Sequence, residues 1–451
     1  MTGVALAIVV TIWMAYMILK KYKAQTVIFL GGMILLAGAI LLGKPIIAGK
    51  ETTGFAWFDI FKLIESLLSS RVGGLGLMIM SVVGFVRYMD HIGASKAFVH
   101  LGTKPLAFFR SPYTVLAMAY IVGQMMKASI ISAAGLGILL MATMFPILIG
   151  LGASRAGAAA VIVTCSCIDI GPAAASSQLI AKYAGVDVVT YVAHHQLAVA
   201  VPTILVVAAL HPIIQKWFDK KDGHTAVRSG IASTSPASDA PPLIYAFLPL
   251  LPITLIFIFS PIFGSKIKMS VITSMLIGVF AGMVLEYIRS RDWAKVAGSI
   301  QSFFDGMGTA FATIVSLIIA AETFAAGLKA IGAVDAIIHS AESGFGGYVM
   351  VFIMQSITAA AAIVTGSGDA EIFSFAPLAP EVARQIGIAP VHILIPVQFA
   401  ATIARSISPV SAVCIAVAGL AEVPTVDISK RTAIPMIGAF IAMTIANFIA
   451  I

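Results

Sequence analysis

Charge is what this sequence has least of. Asp, Glu, Lys and Arg make up 11% of the 451 residues, against 60% from the hydrophobic set, and the mean hydropathy is +1.03. That much apolar surface exceeds what one soluble core can hide, which excludes a soluble globular protein. Cysteine is nearly missing. Cys165, Cys167 and Cys414 lie in apolar or small-residue segments, and Cys-x-Cys lacks the paired spacing of a structural zinc site, so they read as packing residues. No basic region precedes the apolar run that starts at Val4, and no small-residue cleavage site interrupts Lys20 to Lys23; the first helix is therefore expected to stay. The net charge of +8 and pI near 9.3 would suit nucleic acid. Lys and Arg, however, sit in short clusters between apolar runs, as membrane topology places them, and no nucleic-acid partner is expected.

What is present is a series of apolar runs. At about 20 residues per crossing of a ~30 Å hydrocarbon layer, the length allows about ten to fourteen membrane segments. Two stretches, 112 to 151 and 345 to 388, are split by small polar residues, Ser129 to Gly135 and Thr365 to Gly368, leaving halves too short or interrupted for comfortable crossings. They read as re-entrant hairpins. Two others, 155 to 183 and 390 to 420, are broken at Asp169-Ile170-Gly171-Pro172 and Ser406-Ile407-Ser408-Pro409, because proline removes a backbone donor and biases its predecessor away from helix. Each reads as one crossing made of two half-helices.

These features recur. His91 to His100 resembles Ala330 to His339, 239 positions later, and the hairpin and proline breaks repeat at offsets of 233 and 237. If each hairpin enters and leaves on one side, each half has an odd number of crossings, which makes the repeat inverted. The expected fold is an all-α polytopic membrane protein with about ten transmembrane helices plus two re-entrant hairpins. Its divisions are a scaffold part of each repeat (1 to 111 and 243 to 344), a hairpin and broken helix of each (112 to 215 and 345 to 451), and a cytoplasmic linker (216 to 242). An external N-terminus puts Lys20 to Lys23, Arg87 to Arg110, the linker, Arg289 to Lys295 and Lys430-Arg431 in the cytoplasm.

Broken helices and hairpin tips expose unpaired backbone groups at membrane depth, which cost several kcal/mol each unless protein, water or ligand satisfies them. Half-helix N-termini suit a carboxylate, and unwound carbonyls suit a cation. Candidate substrate contacts are Ser129, Ser132 and Gly135 at one tip, Thr365, Gly366, Ser367 and Gly368 at the other, and Arg405, Ser408 and Ser411 at the second break. Candidate groups for a coupling ion, sodium or proton, are Asp169, Asp369, Glu371, Thr164, Ser166 and Thr402. Each acid also has a structural reading, as a helix cap or an ion-pair partner of Arg405. Glu322 is a further candidate, whereas adjacent His194 and His195 point about 100 degrees apart on a helix and do not suit a metal. No other metal or cofactor is expected. Gly-rich Thr365 to Gly368 lacks the lysine of a nucleotide-binding loop, so ATP-driven transport would need another subunit. An aspartyl enzyme would need Asp169 and Asp369 within a few ångströms, with no lipid or peptide entry motif to support it, so no enzyme is expected.

The run Ser132 to Pro146, then Val364 to Gly368, Ser406 to Ser411 and Val417-Ala418-Gly419, resembles the DcuC family of anaerobic C4-dicarboxylate carriers. The likeness covers nearly the whole chain, including Tyr88 to Ala94 and Lys430-Arg431-Thr432. It implies uptake, exchange or efflux of succinate, fumarate or malate across a bacterial inner membrane. It also implies the wider ion-transporter superfamily, whose members are homodimers that carry substrate by elevator motion. Asp369 and Glu371 depart from the family pattern of a neutral amide and a proline, as does Pro172 to Ser176. Added acids disfavour a dianion unless protonated or paired with cations, which leaves open a zwitterionic or cationic substrate such as an amino acid or small peptide.

Overall fold

The computed structural model describes residues 2–20, 22–47, 52–109, 111–224, 242–260, 265–267, 269–333 and 347–450. Among them every regular element is helical. The first half contains α1 (Thr2–Leu19), α2 (Ala24–Leu41), α3 (Ala56–Arg71), α4 (Leu77–His91), α5 (Ala94–Thr103), α6 (Pro112–Lys127), α7 (Ala133–Gly150), α8 (Arg155–Thr164), α9 (Ala175–Ala184), α10 (Val188–Thr190) and α11 (Leu197–Lys221). The second contains α12 (Leu251–Ile258), α13 (Val271–Ser290), α14 (Trp293–Ser299), α15 (Gln301–Ala310), α16 (Ser316–Ala330), α17 (Gly347–Thr365), α18 (Gly368–Phe375), α19 (Ala379–Gln385), α20 (Val391–Arg405), α21 (Ala412–Ala421) and α22 (Thr425–Ala450).

Eight helical stretches among the described residues are long and apolar enough to cross a bilayer. Two of them are α7 and the stretch Tyr348–Thr365 of α17, 18 residues each, so one arm of each expected hairpin has spanning length after all. The sequence shows the polar break but not that the helix beyond it runs unbroken, because Pro146 sits inside α7 without ending it. A second difference is length. Ala56–His91 and Trp293–Ala330 are continuous at 36 and 38 residues, where shorter crossings were expected. Single π-helical turns, Val72–Gly76 and Phe311–Val315, absorb the irregularity without stopping either helix. The expected linker also starts late, since α11 runs on to Lys221; residues 225–241 lie outside the described set, as does His339.

Element boundaries carry the repeat further than the sequence match does. The π turns Val72–Gly76 and Phe311–Val315 are 239 positions apart, as are the helices that follow them, α4 and α16. The helices that resume after the two proline breaks, α9 and α21, are 237 apart and equal in length. Local chemistry sets these starts. Ser132, Ser154, Ser367 and Ser411 are N-caps whose hydroxyls accept from a backbone N–H three residues on.

Candidate functional site

The four interruptions meet. The first tip touches the first break, because Lys127, the last residue of α6, places Nζ 2.7 Å from Asp169 Oδ1 and donates to Ile131 O at 2.8 Å. The two breaks touch each other, since Arg405 at the end of α20 donates to Ser166 O at 2.7 Å and stands 4.0 Å from Asp169 Oδ1. The second tip then touches the second break. Gly366 has φ of +73°, and a Cβ there would lie 2.8 Å from Ser411 N and Val410 O. Asp369, in the first turn of α18, sets Oδ2 3.9 Å from Arg405 Nη1. Lys127, Asp169 and Arg405 are buried, while about half of the Asp369 side chain is exposed.

Lys127, Arg405, Asp169 and Asp369 thus form a cluster whose formal charges cancel. Charges at this depth persist when opposed, since an unpaired one is expensive. Asp169 and Arg405 fulfil the ion-pair reading of the sequence across the two halves, and Asp369 pairs with Arg405 within the second half. Lys127 is the member that sequence reasoning missed. It ends an apolar run directly before the tip, and a lone lysine in such a place is the signal that could have found it.

The first break is less open than its sequence suggests. Side chains accept or donate around it: Gln124 Nε2 bonds Ile168 O at 2.5 Å, Gln196 Nε2 bonds Asp169 O at 3.0 Å, and Gln178 Nε2 bonds Pro172 O at 3.1 Å. With Arg405 on Ser166 O, the carbonyls of Ser166, Ile168, Asp169 and Pro172 in the unwound segment are satisfied by protein side chains. Gln398 on α20 closes this network, donating to Ser176 Oγ at 3.0 Å and accepting from Tyr191 Oη at 2.5 Å. The second break keeps two buried polar atoms, Arg405 Nε and Ser408 Oγ, without a hydrogen-bond partner among the described residues. Such orphans mark where a ligand's oxygens can be received.

Other candidates fall elsewhere. Thr164 Oγ1 lies 2.8 Å from His211 Nε2, Ser166 donates to Val163 O, and Thr402 to Phe399 O, so these hydroxyls are engaged within or beside their own helices. Ser132, Ser367 and Ser411 serve as caps; Gly135 donates its N–H to the first, and Ser129 is buried behind the tip. Gly368 packs on Ala401 and Thr402 of α20. Glu371 is not in the cluster. Thr365 donates to its Oε1 at 2.9 Å, and the pair lines a separate, mainly apolar cavity of about 450 Å³ with Met14 and Phe324. Two positions along a helix turn a side chain by about 200 degrees, which is why Asp369 and Glu371 face opposite ways. Glu322 is paired with Arg71. Among the described residues no three His, Cys, Asp or Glu side chains gather as a metal site.

The family model described as the C4-dicarboxylate anaerobic carrier matches residues 3–451. The chain belongs to this DcuC family. A relative in Vibrio cholerae serotype O1, named as a probable anaerobic C4-dicarboxylate transporter, is 34% identical over 454 residues, covering 100% of this chain and 98% of the relative. The anaerobic C4-dicarboxylate transporter DcuC of Escherichia coli K12 is also 34% identical, over 98% of this chain and 95% of its own length. Two solved transporters share the fold at a TM-score of 0.64: MtrF of Neisseria gonorrhoeae, 14% identical over 95% of this chain and 96% of its own, and YdaH of Alcanivorax borkumensis, 16% identical over 94% and 98%. This DcuC-family protein is therefore a multi-pass bacterial inner-membrane transporter and not an enzyme.

The close seat of Gly366 yields a test of the DcuC-family tip. Gly366→Ala forces a methyl against backbone and strains a left-handed residue, with an expected cost of about 1–3 kcal/mol. The melting temperature of purified protein in detergent should fall, and an unchanged value would show that the tip is not held against Ser411.

Proposed function

We propose that this protein is a secondary carrier that moves a C4-dicarboxylate such as succinate, fumarate or malate across the bacterial inner membrane, coupled to protons or sodium or by exchange. The observation that carries this reading is the convergence of four helix interruptions on Lys127 and Arg405. Two cations held by different halves of the chain suit a solute with a carboxylate at each end. Family membership and the names of relatives aligned over nearly their whole lengths support the substrate class. In this proposal the tips of α6–α7 and α17–α18 are re-entrant hairpins in inverted repeats. Residues 112–215 and 345–451 form a transport unit that slides against a scaffold of 1–111 and 243–344, within a homodimer.

The cancelling charges supply the coupling argument. A dianion that recruits Lys127 and Arg405 leaves Asp169 and Asp369 uncompensated, so protons or sodium ions must enter with it. The same neutrality favours a second reading, a zwitterion such as aspartate, which brings less net charge. Uptake of radiolabelled succinate by proteoliposomes under imposed proton and sodium gradients separates the two. Saturable uptake competed by fumarate and malate is expected; competition by amino acids alone favours the second reading, and no saturable uptake or exchange under any gradient removes the first.

Arg405→Lys tests recognition at the second break. A lysine offers a point charge and cannot reach Ser166 O while presenting a planar fork to a carboxylate. The half-saturating succinate concentration is expected to rise about tenfold, the size of one lost hydrogen bond to a charged group. Unchanged affinity would make Arg405 a purely structural ion pair.

A further inference from the structure

A second charged cluster joins the parts that the proposed motion separates. Tyr183, near the end of α9, donates its phenol to Glu322 Oε1 on α16. Arg71, the last residue of α3, grips the same carboxylate, with Nε 2.7 Å from Oε1 and 2.6 Å from Oε2. Glu322 is buried. In the division proposed above, α3 and α16 belong to the scaffold and α9 to the transport unit.

The repeat makes this contact one-sided. An offset of 239 relates Arg71 to Ala310 and Glu322 to Val83, and an offset of 237 relates Tyr183 to Leu420. None of the three related side chains can donate or accept a hydrogen bond. Leu420, on α21, is 53% exposed, so it has no such seat in this state. When inverted repeats exchange conformations during alternating access, the second state uses the related contact. There the polar triad is replaced by alanine, valine and leucine.

We propose that Tyr183, Glu322 and Arg71 form a latch that favours the present position of the transport unit over the repeat-exchanged one. The inference rests on the alternating-access reading and adds to it an unequal resting distribution. A bond made in one state and not the other shifts the equilibrium by its full worth. Tyr183→Phe removes the phenol oxygen and keeps the ring, so folding and the substrate cluster should be unaffected.

Spin labels placed by Lys295→Cys on α14 and Lys430→Cys on α22 report the separation of the two units; both sites are exposed, and the native cysteines are buried. Wild-type protein is expected to show two distances with one dominant. Tyr183→Phe should move their ratio about tenfold or more toward the minor one, the worth of a hydrogen bond to a charged group. In proteoliposomes it should also change the ratio of half-saturating succinate concentrations on the two faces. Two distances with an unchanged ratio would overturn the latch and leave alternating access standing. A single distance, both without ligand and at saturating succinate, would overturn alternating access and the latch with it.

Discussion

Lys127→Met is expected to reduce succinate transport to about 1% of wild type or less. Two losses combine. A substrate carboxylate forfeits a charge-assisted partner, worth about 1.5–3 kcal/mol. Asp169 also loses the ammonium 2.7 Å from its Oδ1, and breaking a buried pair from one side costs about 3–5 kcal/mol. The second loss threatens folding, so a double variant is needed. Lys127→Met with Asp169→Leu removes both charges and should recover much of the melting temperature in detergent, yet it should still fail to transport. Succinate should also no longer raise that melting temperature, because a ligand stabilises only a state it binds. If the double variant transported normally, Lys127 would be a structural counter-ion alone, and the substrate's second carboxylate would need another partner.

The sequence reports local interruptions well and distant partners poorly. Small polar residues and prolines stop helices through nearest-neighbour sterics and capping, so all four breaks were legible: helices end at Lys127, Thr164, Thr365 and Arg405 and resume at Ala133, Ala175, Gly368 and Ala412. The repeat was legible for the same reason, since it is written in the spacing of those stops. What lay hidden was how each polar group is satisfied. Gln124, Gln196 and Gln398 are neutral amides with no charge signal, yet they hold the first break's carbonyls and one another. Thr164 and His211 are 47 residues apart in sequence, and Arg71 and Glu322 are 251 apart. No local pattern predicts such pairs. Glu371 shows the opposite case: its nearness to Asp369 in sequence suggested a shared role, but helical geometry sends it to Thr365 and a different cavity.

Arg431→Met should produce a loss of stability as large as any single change in the molecule. The sequence offers Arg431 as one of the basic residues that orient the chain, but the structure buries it. Its Nη1 lies 2.7 Å from Asp219 Oδ1 and its Nη2 2.6 Å from Asp222 Oδ2, while Ser154, the cap of α8, donates to Asp219 Oδ1 at 2.6 Å. Gln215 donates to the Arg431 carbonyl at 3.1 Å. The group ties the start of α8 and the end of α11, from the first half, to α22 of the second. Removing the guanidinium leaves Asp219 buried among hydroxyl and amide groups with no cation on it, at an expected cost of about 3–5 kcal/mol. Asp222 is more exposed and should tolerate the change, as surface pairs contribute about 0–1 kcal/mol. Thermal unfolding in detergent should therefore show a large fall for Arg431→Met, a small one for Asp222→Ala, and substantial recovery when Arg431→Met is combined with Asp219→Leu. Recovery of stability should bring back succinate uptake too, because this cluster shares no residue with Lys127, Asp169, Arg405 or Asp369. A double variant that is stable but inactive would instead give the tie between α8, α11 and α22 a part in transport itself.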